Sequence, residues 1–284
     1  MLTQKDLVFC SPPFGMVPLL DRLAPVAAAG FAGISLMPTD VWTLEERGMS
    51  AAEIALRIAD AGLQAAEMDC TACWMPRHRT QDDQGDLSPL LRSLTADRVI
   101  ATAARVGARS IVAVDLMKTP PPFEEAVEGF ARLCDLAADH GLRAQIEFVC
   151  AGGIRDLVAA WAIVTAAGRD NGGLAVDSWH HFRTGGTVEQ LASIPGRRIH
   201  SVQINDAPEQ PQGDPWTELT TSRLLPGEGV FDLKGFIQTL DAIGSAAPIG
   251  VEVFNDRQLS EDFDKVVADT AKTGRATVES ARNS

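Results

Sequence analysis

Tyrosine is absent from the 284 residues, so no phenol can serve as a proton donor anywhere in the chain. Apolar runs are short, and none approaches the roughly 18 residues that read as a membrane span. Basic residues are the minority, 25 Lys and Arg against 38 Asp and Glu, for a formal net charge of −13. That balance speaks against a nucleic-acid partner, because such binders need a basic footprint to displace counterions. An anionic membrane surface is disfavoured on the same electrostatic ground. Cysteines number five, sparse and odd, unlike a disulfide framework. Residues 1–6 lack the charged, apolar and small-residue succession of a secretion signal, so a reducing cytoplasm is the expected location. Cys70 and Cys73 form a C-x-x-C pair suited to redox chemistry or half a zinc site, but no second pair and no His cluster accompanies it.

What the chain has in quantity is alternation. Short apolar runs at 7–10, 33–37, 64–70, 110–115, 143–149, 173–179, 201–206 and 248–254 read as strands. Helical periodicity fills 17–29, 50–61, 89–106, 123–140, 154–167, 188–193, 233–243 and 261–273. A βα unit repeated eight times predicts a parallel sheet closed into a (β/α)8 TIM barrel, with 1–284 as one domain. A doubly wound open sheet competes, but the loop after the first strand, Ser11-Pro12-Pro13-Phe14-Gly15, lacks the G-x-G-x-x-G pattern. Two long loops, 71–88 and 207–229, follow the third and seventh strands, on the face where barrel enzymes hold their chemistry.

Acidic side chains recur late in these apolar strands, where burial is costly unless a partner or metal compensates. The fifth strand carries Glu147, the sixth Asp177, the seventh Gln203 and the eighth Glu252. Three carboxylates converging at the barrel top would repel strongly in a low-dielectric site. A divalent cation resolves that repulsion, with Gln203 supplying a neutral carbonyl oxygen as fourth ligand. Such an all-oxygen set favours Mn²⁺ or Mg²⁺ over zinc. Taken singly, each acid could equally be a salt-bridged barrel residue; taken together they point to a metal cage.

In order and spacing, these segments resemble the xylose-isomerase-like TIM-barrel superfamily of sugar-phosphate isomerases and epimerases. Gly30-Phe31-Ala32-Gly33-Ile34 is similar to its second strand, and Glu147 to its first metal carboxylate. Val176-Asp177-Ser178-Trp179-His180 resembles its D-x-[WFY]-H segment, and Val202-Gln203-Ile204-Asn205-Asp206 its H-[VIL]-K-D strand. Pro226-Gly227-Glu228-Gly229 resembles its PG-x-G loop, and Glu252 its last metal carboxylate. Most isomerases and epimerases of the group carry histidine where this chain has Gln203. Glutamine there resembles the dehydratase branch, such as bacterial 3-dehydroshikimate dehydratases. Its oxygen is harder than an imidazole nitrogen and does not titrate near neutral pH, which lowers the preference for zinc.

The resemblance implies a metal-dependent isomerase or epimerase acting on a keto sugar or related polyol, by proton abstraction next to a carbonyl and an enediolate. A lyase of the 3-dehydroshikimate or keto-inositol dehydratase kind is the alternative. By the same resemblance Glu147 and Glu252 are the proton-transfer pair. His180, three residues after Asp177, is the candidate general acid or substrate hydroxyl contact, while His181 and His200 read as structural. Arg183 and Arg223 are candidates for binding a substrate anion, or equally for loop salt bridges. Glu67 reads as a hydroxyl acceptor or a partner to the site, and Trp179 as an aromatic face against a sugar. The expected partner is a small molecule: a sugar, a polyol or a cyclic keto acid. A homo-oligomer is compatible with the sequence.

Overall fold

The computed structural model describes residues 1–283, without the side chains at 257 and 259. Eight parallel strands close into a barrel in chain order. They are β1 (Leu7–Phe9), β2 (Gly33–Leu36), β3 (Gln64–Thr71), β4 (Ser110–Ala113), β5 (Arg143–Glu147), β6 (Gly172–Asp177), β7 (Ile199–Ile204) and β8 (Ile249–Val251). Closure runs through Leu7↔Ile249, Val8↔Gly250 and Phe9↔Val251, which rules out the open sheet. Helical faces cover the outside, and the apolar core is continuous from Leu7 to Ala281. Among the described residues no helix is long and apolar enough to cross a membrane.

Several strands stop short of their expected ends: β4 at Ala113, β5 at Glu147 and β8 at Val251. Apolar character continues past the last ladder bond because Phe148, Val149 and Val253 are buried under the loops of the C-terminal face. Burial, rather than strand pairing, sets that pattern. The expected helix over 89–106 is two helices, Ser88–Ser93 and Ala96–Val106. Between them the Leu94 carbonyl accepts from the amides of Ala72 and Cys73, which ties the loop after β3 back to the barrel.

Among the described residues, four α-helices were not legible in the periodicity, one of them the single turn Asp256–Leu259. Pro38–Glu46 carries only a weak apolar stripe and is anchored by the buried Arg22, which meets Asp40 through two bonds of 2.9 and 2.6 Å. Pro215–Thr221 starts on Asp214, which accepts from the amides of Trp216 and Thr217. Ser178–Arg183 takes over the expected end of the sixth strand, because Asp177 caps it. The last helix, Phe263–Arg282, outruns its expected 261–273. Gly274 allows it to lie close to β8: a Cβ there would stand 2.7 Å from Val251 Cγ2.

Candidate active site

Parallel register puts the polar residues of four neighbouring strands together at the C-terminal end of the barrel. Glu147 lies beside Ala175, Asp177 beside Gln203, and Gln203 beside Gly250, with Glu252 two residues further on the same face as Gly250. All four polar side chains are buried.

Asp177 is the most heavily coordinated. Its Oδ1 accepts from the amides of Trp179 (2.6 Å) and His180 (3.1 Å), and its Oδ2 from Asn205 Nδ2 and Arg223 Nη1, both at 2.9 Å. The same Arg223 nitrogen donates to Glu252 Oε2 at 3.2 Å. Arg223 is itself buried. Its Nε donates to the Leu219 carbonyl, and its guanidinium lies 5.3 Å from the Trp179 ring and 4.9 Å from that of Phe254. Asn205 completes the frame by donating to the Glu252 carbonyl as well, at 3.0 Å.

Burial dominates the electrostatics. It pushes the Glu252 carboxyl up to about 7, with Arg223 opposing and Asp177 adding to the rise. Glu147 is raised well above the carboxylate range by burial, then by Glu252 and Asp69. Burial also lowers His180 to about 3, so it is neutral at physiological pH. Its Nδ1 accepts from the Cys150 amide at 3.3 Å, which leaves the proton on Nε2, 3.7 Å from Glu147 Oε1. His180 therefore faces the cluster as a donor.

Ligand-type atoms of Glu147, Asp177 and His180 lie within 4.8 Å of one another. The fit to a divalent cation rests on Gln203. Its side chain is fully buried, yet neither Oε1 nor Nε2 has a hydrogen-bond partner among the described residues. An amide left so costs roughly 1–3 kcal/mol. A cation taking the Gln203 oxygen together with carboxylates 147, 177 and 252 relieves both that cost and the mutual repulsion of the acids.

The remaining candidates divide. Trp179 is buried beside Arg223, with its indole N–H lacking a partner among the described residues. Glu67 sits deeper in the barrel and accepts from Gln145 Nε2 at 2.6 Å; that amide nitrogen also reaches Ser201 at 2.8 Å. Arg183 is not brought to the cluster. It donates to Glu218 Oε1 (2.6 Å) and the Pro208 carbonyl (2.8 Å), both on the long segment after β7. Arg223, expected at the mouth to meet a substrate anion, is spent on Asp177 and Glu252. His181 Nε2 donates to the Thr187 carbonyl (3.1 Å), away from the acids.

Sequence reasoning missed Asp69 and Asn205. Asp69 carried the same signature as the other acids, a carboxylate late in an apolar strand, and it follows Glu67 by two residues on the inward face of β3. Asn205 had no signature, since an outlying amide in a strand looks the same whether or not it braces an acid. Asp206, its neighbour, pins the PG-x-G loop by accepting from the amides of Gly227 and Phe231. Gly229 is required there, because a Cβ would come within 2.2 Å of the Ala207 carbonyl oxygen.

The Cys70–Cys73 pair is not joined by a disulfide. All five cysteines are free, and burial raises every thiol: Cys10 and Cys70 well above the ordinary value, Cys73 above it, and Cys134 and Cys150 to about 12. Neutral thiols react slowly. A thiol reagent at pH 7.5 is expected to label the native chain far more slowly than the denatured one, and Cys70→Ser to leave the folded protein unchanged. Rapid labelling of two thiols in the native chain would contradict this.

The sequence profile of xylose isomerase-like TIM barrels matches residues 23–277. Over 84% of its length the chain is 30% identical to a 3-dehydroshikimate dehydratase of Pseudomonas aeruginosa, of which it spans only 36%. Over 64% of its length it is 30% identical to an inosose isomerase of Bacillus velezensis, of which it spans 65%. Among solved structures, the IolI protein with a bound zinc atom superposes with a TM-score of 0.83 across 97% of this chain and 99% of that one. The identity there is 21%, so this likeness concerns the fold alone.

Proposed function

The chain belongs to the xylose isomerase-like TIM barrel family, and on that premise we propose that it is a divalent-metal-dependent isomerase or epimerase of a keto sugar or related polyol. The observation that supports the metal dependence, common to isomerisation and elimination, is the orphaned, fully buried amide of Gln203 among the carboxylates of Glu147, Asp177 and Glu252. Those four would hold the cation, and their oxygen-only donors favour Mn²⁺ or Mg²⁺. When bound, the ion supplies Lewis-acid stabilisation of negative charge developing on a substrate oxygen.

The chain's own groups carry the proton transfers. Glu147 and Glu252 act as the base that takes the proton from the carbon next to the carbonyl and the acid that returns it; burial raises both carboxyls, that of Glu252 to about 7. His180 offers its Nε2–H to a substrate hydroxyl. Arg223 fixes the orientation of Glu252 and compensates its charge. Trp179 lends an apolar wall. The free thiols and acidic balance suit a reducing cytoplasm.

Elimination is the second reading, favoured by Gln203 and by the similarity to the Pseudomonas dehydratase. The proton taken from carbon by one glutamate would then pass to the departing hydroxyl, which leaves as water, with neutral His180 donating a hydrogen bond to it from Nε2–H rather than giving up a proton. One experiment separates the two. The Mn²⁺-loaded chain is incubated in D₂O with a panel of ketoses, keto-inositols and 3-dehydroshikimate. Deuterium at the α-carbon, lost on chelation, is the expected result. A conjugated, ultraviolet-absorbing product from 3-dehydroshikimate without exchange into any sugar assigns elimination. Silence on the whole panel refutes both.

A further inference from the structure

We propose that Asp69 contacts the hydroxyls of the substrate and restricts the site to uncharged keto-polyols. This rests on the reading of the site as a metal-dependent proton-transfer centre and names its substrate class.

Placement comes first. Inward and outward residues alternate along a barrel strand. Glu67 points inward, since it meets Gln145 from β5, whose amide also reaches Ser201 of β7 across the interior. Asp69, two residues on, faces the same way one layer nearer the mouth. It lies close enough to Glu252 for the two charges to act on one another.

Its partners come second. Asp177 accepts four hydrogen bonds, Glu252 is bonded to Arg223, and Glu67 to Gln145. No hydrogen bond reaches the Asp69 carboxylate from any described residue, although the residue is only 8% exposed. That carboxylate keeps a small solvent-facing surface and takes no donor from the protein, so a molecule entering the site can supply its hydrogen bonds. Substrate hydroxyls do so, since an ionised carboxylate accepts through both oxygens.

Charge then decides which substrate. Asp69, Glu147, Asp177 and Glu252 meet one guanidinium, Arg223, at this end of the barrel. With the ion bound and all four acids ionised the set is still negative by one, and Asp69 is the acid that neither the cation nor the arginine's hydrogen bonds engage. Arg183, the other candidate cation, is held by Glu218. A substrate carboxylate or phosphate entering here meets repulsion, whereas a neutral polyol meets an acceptor. Selectivity of this kind works by excluding the wrong ligand as much as by attracting the right one.

The test compares wild type with Asp69→Asn in the full chain loaded with Mg²⁺, using calorimetry with two probes of similar size, neutral myo-inositol and anionic quinate. Wild type is expected to bind myo-inositol at least about tenfold more tightly than quinate, and Asp69→Asn to shrink that ratio by about tenfold, the effect of roughly 1.4 kcal/mol. The variant relieves repulsion among buried acids, so it should melt no lower than wild type, and Mg²⁺ should stabilise both equally. On a turned-over ketone its KM should rise more than its kcat falls. An unchanged ratio in the variant, a preference of wild type for quinate, or no binding of myo-inositol by the wild type overturns the proposal. If no substrate is turned over but the binding ratio shifts as stated, the proposed reaction fails while the role of Asp69 stands.

Discussion

Glu252→Gln is expected to lower kcat by about a thousandfold or more, the range lost when a positioned acid or base is removed. Glutamine keeps the shape and can still accept from Arg223, whose bond to Glu252 Oε2 is 3.2 Å long, so packing survives. What it cannot do is carry a proton between carbon and solvent, or bring a negative charge to a cation. Glu147→Gln should do the same, with one distinction. His180 Nε2 stands 3.7 Å from Glu147, so that variant also loses the negative charge facing the histidine proton. Either variant is checked by steady-state rates on whichever ketone shows α-exchange, with circular dichroism to confirm the fold. Retained activity in either would break the assignment of the pair.

Arg223→Met is expected to destabilise the metal-free protein by about 3–5 kcal/mol, the cost of removing one partner from a buried ion pair. The reason is specific to its place, since Arg223 is the guanidinium bonded to both Asp177 and Glu252. The pH dependence has a definite sign. Glu252, Glu147 and Asp69 are raised by burial, so the folded metal-free chain binds more protons than the unfolded one. Their stabilising contribution is full below the ordinary carboxylate value and is lost as pH rises through the folded value, about 7 for Glu252. Without Arg223 that loss steepens, so the deficit should be larger at pH 8 than at pH 6. His180 and His200, lowered to about 3 by burial, work the other way and weaken the fold as pH falls below the ordinary histidine value. Denaturant melts of both proteins at several pH values check this. A deficit that is small and independent of pH would contradict it.

The fold was readable because strand and helix periods differ and each βα unit repeats the contrast. Strand ends were less so: Phe148, Val149 and Val253 are apolar because loops bury them, and a periodicity that reports burial cannot separate that from pairing. That Glu147, Asp177, Gln203 and Glu252 come together at one end of the barrel was legible because a polar residue late in an apolar strand violates the local pattern. Asp69 obeyed the same rule and was passed over, since it has no counterpart in the motifs that the chain resembles. Arg183 and Arg223 show the opposite limit. Sequence places a cation on a loop but not its partner, and Glu218 and Asp177 lie 35 and 46 residues away from those arginines.

The central claim is that Glu147, Asp177, Gln203 and Glu252 hold one divalent ion. Thermal melting of the chelator-treated chain against added Mn²⁺, Mg²⁺ and Zn²⁺, with metal analysis of the reloaded protein, tests it most directly. One equivalent should bind, and a free ion concentration a hundredfold above Kd should add about 2.7 kcal/mol to stability. The gain should be larger at pH 8 than at pH 6, because protons on the raised carboxyls compete with the ion, and it should largely vanish in Glu147→Gln. No stabilisation by any of the three ions, or an equal gain in the variant, would contradict the account.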